Sequence, residues 1–263
     1  MIFKQLYEQD SSTYTYLIAC EETGQSVLID PVIDTVERDM LTLKELGLGL
    51  TYTLETHMHA DHLTGAKKLK QFAGSKIVVP AMEQLACADL GVSEGTPFMV
   101  GNIKLEPLFT PGHTGKHHAY LLDNGMQKIL FTGDALLIEA CGRTDFQSGD
   151  PVKLYESITQ KFFTLPDETI VYPAHDYEGR QITTIGQEKN RNPRLGNNKS
   201  QDEFVDIMNG LDLPYPRKID FAVPGNEACG ECPGDIPEEY RGPCDIVDLP
   251  QDLIRAVRAG DQG

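Results

Sequence analysis

Three of the chain's seven histidines fall in one short stretch, THMHADH, which runs from Thr56 to His62 and also carries Asp61. His57, His59, Asp61 and His62 alternate or nearly alternate across a turn, so imidazoles and a carboxylate can face one volume. Metal binding is the economical reading of that pattern, against the plainer one of a polar turn with satisfied histidines. Further candidates follow downstream: His113 in TPGHTGKHH, Asp134 in FTGDALL and His175 in YPAHDYEG. Each stands at or just after the end of an expected strand, where α/β scaffolds display their sites. His117 and His118 are read as structural, since one of two consecutive strand residues faces away from any site.

The elements that must position these residues are mostly strands. IFKQLY (2 to 7), TYTYLIA (13 to 19) and SVLID (26 to 30) are short, rich in β-branched and aromatic residues and parted by polar turns, which suggests an antiparallel meander. Val36, Met40, Leu43 and Leu46 recur at helical spacing and close on Gly47, and LTYTLET then leads as a strand into the histidines. After them, Leu63, Ala66, Leu69 and Phe72 share one helical face, with Asp61 as the expected N-cap. Later strands are expected at 76 to 80, 103 to 110, 117 to 123, 128 to 134 and 169 to 175. Helices are expected at 152 to 163, 183 to 190 and 201 to 209. The tail beyond about residue 220, rich in Pro, Gly, Cys and acidic residues, is read as irregular.

Composition excludes some partners. A formal charge of −17 argues against nucleic acid and anionic membrane surfaces, both of which repel an acidic face. No amino-terminal leader pattern and no run of about 18 apolar residues is present, so a soluble, unprocessed, cytoplasmic chain is expected. Six scattered cysteines (Cys20, Cys87, Cys141, Cys229, Cys232, Cys244) fit free thiols in a reducing compartment.

THMHADH followed by His113, Asp134 and His175 resembles the metallo-β-lactamase fold. That resemblance implies an α/β architecture, an αββα sandwich of two mixed sheets flanked by helices, with residues 1–225 as the catalytic domain and 226–263 as an irregular extension packed on it. The signature is specific for fold and weak for reaction. CGRTDFQSGD (141 to 150), PAHDYEGR (173 to 180), NPRL (192 to 195) and IDFAVPGNEACG (219 to 230) narrow it. Together they resemble the persulfide dioxygenases, also called sulfur dioxygenases, the family of the ethylmalonic encephalopathy protein.

That resemblance implies one Fe(II) per subunit, held by His57, His113 and Asp134, with His59, Asp61, His62 and His175 orienting the ligands and holding water or substrate. Two histidines and a carboxylate leave coordination positions open, as non-haem Fe(II) oxygenases require. The implied reaction oxidises glutathione persulfide with O2 and water to sulfite and glutathione. Arg143 and Arg194 are the candidates to bind the carboxylates of glutathione, with Tyr177 as a hydrogen-bond donor. A salt bridge from Arg143 to Asp145 or Asp176 is the structural reading of that residue. Cys229 matches a cysteine the family often carries and is a candidate near the substrate entrance. The family commonly forms dimers, so a homodimer is expected. Two competing readings are a glyoxalase II-like thiolester hydrolase with two metals and a non-catalytic persulfide or metal sensor.

Overall fold

The structure, a computed structural model, describes residues 1–259, which form two compact units. The first unit comprises Met1–Val92, Met99–Ile103 and the chain from Pro216 onward; the second comprises Ser93–Phe98 and Lys104–Tyr215. Each is built around a mixed sheet of its own.

In the first unit, β1 (Ile2–Glu8), β2 (Thr13–Ala19), β3 (Ser26–Ile29), β4 (Tyr52–Leu54), β5 (Lys76–Pro80) and β6 (Leu90–Val92) lie side by side in that order. The meander expected from the sequence forms the antiparallel half, β1 to β3, and β3 to β6 pair in parallel. TYTYLIA is buried at every position, as befits an inner strand covered on both faces. The parallel half needs crossovers, which α1 (Val36–Glu45) and α2 (Ala66–Ala73) supply. Leu17 and Leu28 of the sheet pack with Met40 and Leu43 of α1 and Leu69 and Phe72 of α2.

The second sheet has the order β14-β13-β10-β9-β8-β7, formed by β7 (Phe98–Val100), β8 (Ile103–Phe109), β9 (His118–Asp123), β10 (Lys128–Gly133), β13 (Ile170–Pro173) and β14 (Thr183–Thr184). A short hairpin, β11 (Leu136–Leu137) and β12 (Ala140–Cys141), branches after β10. Three helices follow expectation: α3 (Pro151–Ser157), continued by a π-helical turn at Ile158–Phe162, α4 (Ile185–Arg191) and α5 (Gln201–Asn209). Asp150 caps α3 by accepting from the N–H groups of Val152 and Lys153, and Ser200 and Glu203 form a capping box on α5.

Three expectations need correction. Asp61 does not cap α2, because the turn after the histidines runs on to Gly65, where the helix begins. Nor is the tail irregular: it holds α6 (Ile219–Glu227), α7 (Glu238–Arg241) and α8 (Gln251–Ala259). Leu253, Ile254 and Val257 of α8 are buried against α1 and α2, and Arg258 donates to the carbonyls of Phe72 and Gln71 at the end of α2. The cysteines are not all free either. Cys87 pairs with Cys229 and Cys232 with Cys244, which leaves Cys20 and Cys141 as thiols. The argument from free thiols to a reducing compartment therefore falls. Among the described residues no helix is long and apolar enough to cross a membrane.

Candidate metal centre

The histidine loop of the first unit leaves β4 at the carboxyl ends of the parallel strands. His57, His59 and His62 are buried, their rings stepping along at centroid separations of 4.2 and 4.3 Å. Asp30, just past β3, organises the loop: its carboxylate accepts from the Thr56 N–H (2.7 Å), the Thr56 hydroxyl (2.8 Å) and His59 Nε2 (3.2 Å). The Thr56 hydroxyl gives its proton to Asp30, so it accepts from His57 Nδ1 at 2.9 Å. His57 Nδ1 therefore carries a proton, as it does in an imidazole that binds a metal through Nε2.

His59 also lies 3.4 Å from Glu55. Burial alone would lower its pKa, but Asp30 and Glu55 outweigh that and hold it well above the ordinary imidazole value. His62 donates through Nδ1 to Asp61 at 2.9 Å. Donor atoms of His59, Asp61 and His62 lie within 4.8 Å of one another, and His59 Nδ1 and His62 Nε2 are buried without a hydrogen-bond partner. A hydrogen bond or a cation at those atoms would satisfy them.

In the second unit, His113 sits in the turn between β8 and β9, Asp134 follows β10, and His175 follows β13. Strands β10 and β13 are parallel neighbours, so Asp134 and His175 leave the sheet at the same end, with His175 Nε2 3.4 Å from Asp134 Oδ1. His113 Nδ1 donates to the carbonyl of Arg143 at 2.8 Å, and its Nε2 lies 3.4 Å from Asp134 Oδ2. A carbonyl only accepts, so His113 Nδ1 also carries a proton. His117 is neutral for a related reason: Nε2 accepts from the Asp134 N–H at 3.2 Å, which leaves Nδ1 to donate to Thr110 at 2.8 Å. It thus fixes the backbone of Asp134. His118 donates to the Lys116 carbonyl, and burial pushes its pKa down. Gly142 lies between Asp134 and His113, where a Cβ would come within 2.2 Å of the Asp134 carbonyl oxygen and 2.7 Å of His113 Nδ1.

The substrate candidates fare differently. Arg143 takes the structural reading: it forks onto Asp145 at 2.6 and 2.7 Å, donates to the Pro214 carbonyl and lies over the Phe146 ring. Asp176 belongs to Arg180. Arg194 donates to the Cys141 carbonyl at 2.7 Å. Tyr177 is 74% exposed and stacks on His175 with ring planes 5° apart. Cys229 is buried in its disulfide, so the expected free thiol at a substrate entrance is withdrawn.

Sequence reasoning missed Asp30, Glu55, Asn226, Glu188 and Asn192. Asp30 stands at a strand end, by the same rule that found Asp134, and could have been singled out. Buried Glu188 accepts from Thr183, Asn192 and the Glu139 N–H beneath the 139 to 142 turn, and burial raises its pKa against those bonds. Nothing in the local sequence marks it.

The two mixed sheets flanked by helices and these donor sets are those of a metallo-β-lactamase protein, and the family model for the metallo-beta-lactamase superfamily matches residues 9–175. Within that class the chain is 45% identical over 231 residues to the human persulfide dioxygenase ETHE1, mitochondrial, covering 88% of this chain and 89% of that protein. It is similar to the crystal structure of ETHE1 from Myxococcus xanthus, with 49% identity, a TM-score of 0.83, and coverage of 88% of this chain and 100% of that one. A hydroxyacylglutathione hydrolase from Polaromonas sp. is 38% identical over 167 residues, 62% of each chain. The chain belongs to the persulfide dioxygenase family.

Proposed function

We propose that this chain is a glutathione-dependent persulfide dioxygenase with one Fe(II), held by His57, His113 and Asp134. The observation that carries the reading is how the imidazoles are held: His57 Nδ1 donates to the Thr56 hydroxyl and His113 Nδ1 to the Arg143 carbonyl, as in imidazoles that bind a metal through Nε2. The donor set of two imidazoles and one carboxylate fits Fe(II) and would leave coordination positions open. When bound, the iron supplies a redox-active centre at which a persulfide sulfur and O2 meet.

The chain's own residues do the rest. Asp30, acting through Thr56, and the Arg143 carbonyl keep the imidazoles oriented and raise their basicity. His117 holds the backbone of Asp134. Arg194 and the exposed Tyr177 are proposed to bind the glutathione moiety, by charge-assisted and phenolic hydrogen bonds. The reaction balances as glutathione persulfide, O2 and water giving glutathione and sulfite: both oxygen atoms end on the outer sulfur, and water cleaves its bond to the glutathione sulfur.

The test is oxygen uptake by protein reconstituted anaerobically with Fe(II), on adding glutathione persulfide, with sulfite assayed in the same vessel. Equimolar oxygen consumption and sulfite formation are expected. No uptake, together with hydrolysis of lactoylglutathione by the zinc-loaded protein, would replace this reading with the thiolester hydrolase. The uncommitted atoms of His59 and His62 are the observation on the hydrolase's side, since they would serve a second metal.

A further inference from the structure

The stretch IDFAVPGNEACG forms α6 and the turn after it, more than 150 residues after the histidine loop, yet one of its side chains is built into that loop. Asn226 is 2% exposed. Its Oδ1 accepts from the Thr64 N–H at 2.8 Å, and its Nδ2 donates to the carbonyls of both His59 and His62 at 2.9 Å. Both amide protons are used on backbone carbonyls that bracket Asp61, and the oxygen is used on the residue that ends the loop. A single amide side chain therefore sets the spacing of three backbone groups across the segment that follows His57.

Asn226 is itself held. Three residues on, Cys229 is bonded to Cys87, which stands in the chain between β5 and β6. The Cys229 carbonyl accepts from the Lys67 N–H at 3.2 Å, at the start of α2. Gly230 lies against the same Thr64 whose N–H Asn226 binds, so close that a Cβ there would come within 2.3 Å of the Thr64 carbonyl oxygen. The turn that ends α6 is thus fastened on both sides.

We infer that Asn226 is a positioning residue for the metal-binding loop and that the Cys87–Cys229 disulfide is the anchor that keeps it in place. This rests on the proposed function only in that the loop supplies a metal ligand. No other side chain reproduces the pattern: Asp keeps the acceptor but faces two carbonyls with an oxygen, and Ala leaves all three backbone groups without Asn226. Loss of Asn226 frees the backbone at His59 and His62, and with it the imidazoles that pack beside His57 in the loop. Loss of the anchor has the same effect in weaker form, because Asn226 keeps its bonding groups but not its fixed position.

The test compares the wild-type chain with Asn226→Asp, Asn226→Ala and Cys87→Ser. Fe(II) affinity is measured anaerobically by competition with a chromophoric chelator, well below the melting temperature of each protein, and the melt is followed by circular dichroism. Partners that orient metal ligands typically control affinity by about 10- to 100-fold, which is the loss expected for the Asn226 variants, with a smaller loss for Cys87→Ser. A residue that only stabilised the fold would lower the melting temperature and leave the affinity of the folded protein within about twofold, which would overturn the inference. Should Asn226→Ala not fold, Asn226→Asp and Cys87→Ser decide the matter in the same way. A wild-type chain that holds no Fe(II) would overturn the proposed function and this inference together; variants that bind as tightly as a metal-binding wild type would overturn the inference alone.

Discussion

Gly142 gives the sharpest test of how the second unit holds its donors. An alanine methyl there would lie 2.2 Å from the Asp134 carbonyl oxygen and 2.7 Å from His113 Nδ1, whereas real Cβ contacts essentially never fall below 3.0 Å. Relief on the Asp134 side needs a displacement of about 0.8 Å, and both obstacles are rigid: one is backbone, the other a ring pinned by the Arg143 carbonyl. The shift also strains the hydrogen bond from the Gly142 N–H to the Asp134 carbonyl, a contribution of about 1 kcal/mol. Misplacing a reacting group by about 1 Å costs about 100-fold in rate, or about 2.7 kcal/mol of barrier. Gly142→Ala should therefore lower kcat/KM for glutathione persulfide about 100-fold in the oxygen-uptake assay, with the circular dichroism spectrum unchanged. Gly234→Ala, where nothing lies within 4 Å of the added methyl, is the control and should match wild type. If Gly142→Ala keeps kcat/KM within threefold of the control, the close approach of Asp134 and His113 does not govern the chemistry.

Three further outcomes concern Arg194, the cysteines and Asp39, a buried residue of α1 whose carboxylate accepts from Arg38. Arg194→Ala should raise KM for glutathione persulfide by about ten- to a hundredfold, the worth of a charge-assisted hydrogen bond, and lower kcat far less; equal loss in both would count against a binding role. Burial pushes the Asp39 carboxyl up to about 6, against the pull of Arg38, so its neutral form favours the folded state. The stability it contributes is full below about pH 4 and lost as pH rises through about 6, a swing of about 3 kcal/mol that urea titrations should show for wild type relative to Asp39→Asn; parallel stability profiles would refute the assignment. Alkylation of the denatured, unreduced chain should label only Cys20 and Cys141. In the native protein at pH 8 Cys20 should react first, because the Thr23 hydroxyl and the Asn102 N–H lower its pKa to about 7 while burial lifts that of Cys141 to about 11; labelling of four or six cysteines would deny the disulfides.

What the sequence made legible were features with a local rule. His57, His59, Asp61 and His62 stand out by residue type and spacing, and His113, Asp134 and His175 by their positions at strand ends. Strands of four or more residues with β-branched patterns were found, while β6, β7, β11, β12 and β14, with two or three residues each, are too short for any period to show. Helix α8 has its apolar residues at 253, 254 and 257, a helical spacing, but the proline- and glycine-rich chain before it made the whole tail read as irregular. The rest depends on distance in the fold. Cys87 and Cys229 are separated by 142 residues, and the neighbouring Cys232 bonds elsewhere, so an apparent CxxC hides two unrelated partners. Asn226 reaches the His62 carbonyl across 164 residues, and no local pattern records such a pairing.

The order in which the chain is made gives that last contact a kinetic meaning. The second unit is almost one continuous run, whereas the first needs the amino-terminal strands and the segment from Pro216 onward. On a ribosome adding about 5 to 20 residues per second, the 164 residues between His62 and Asn226 take about 8 to 33 seconds. For that interval the nascent histidines are in solution without the amide that sets their spacing, and the core that α8 closes is still open. If Asn226 positions the loop as inferred, that positioning begins only when the segment from Pro216 onward has been made, well after the histidines themselves.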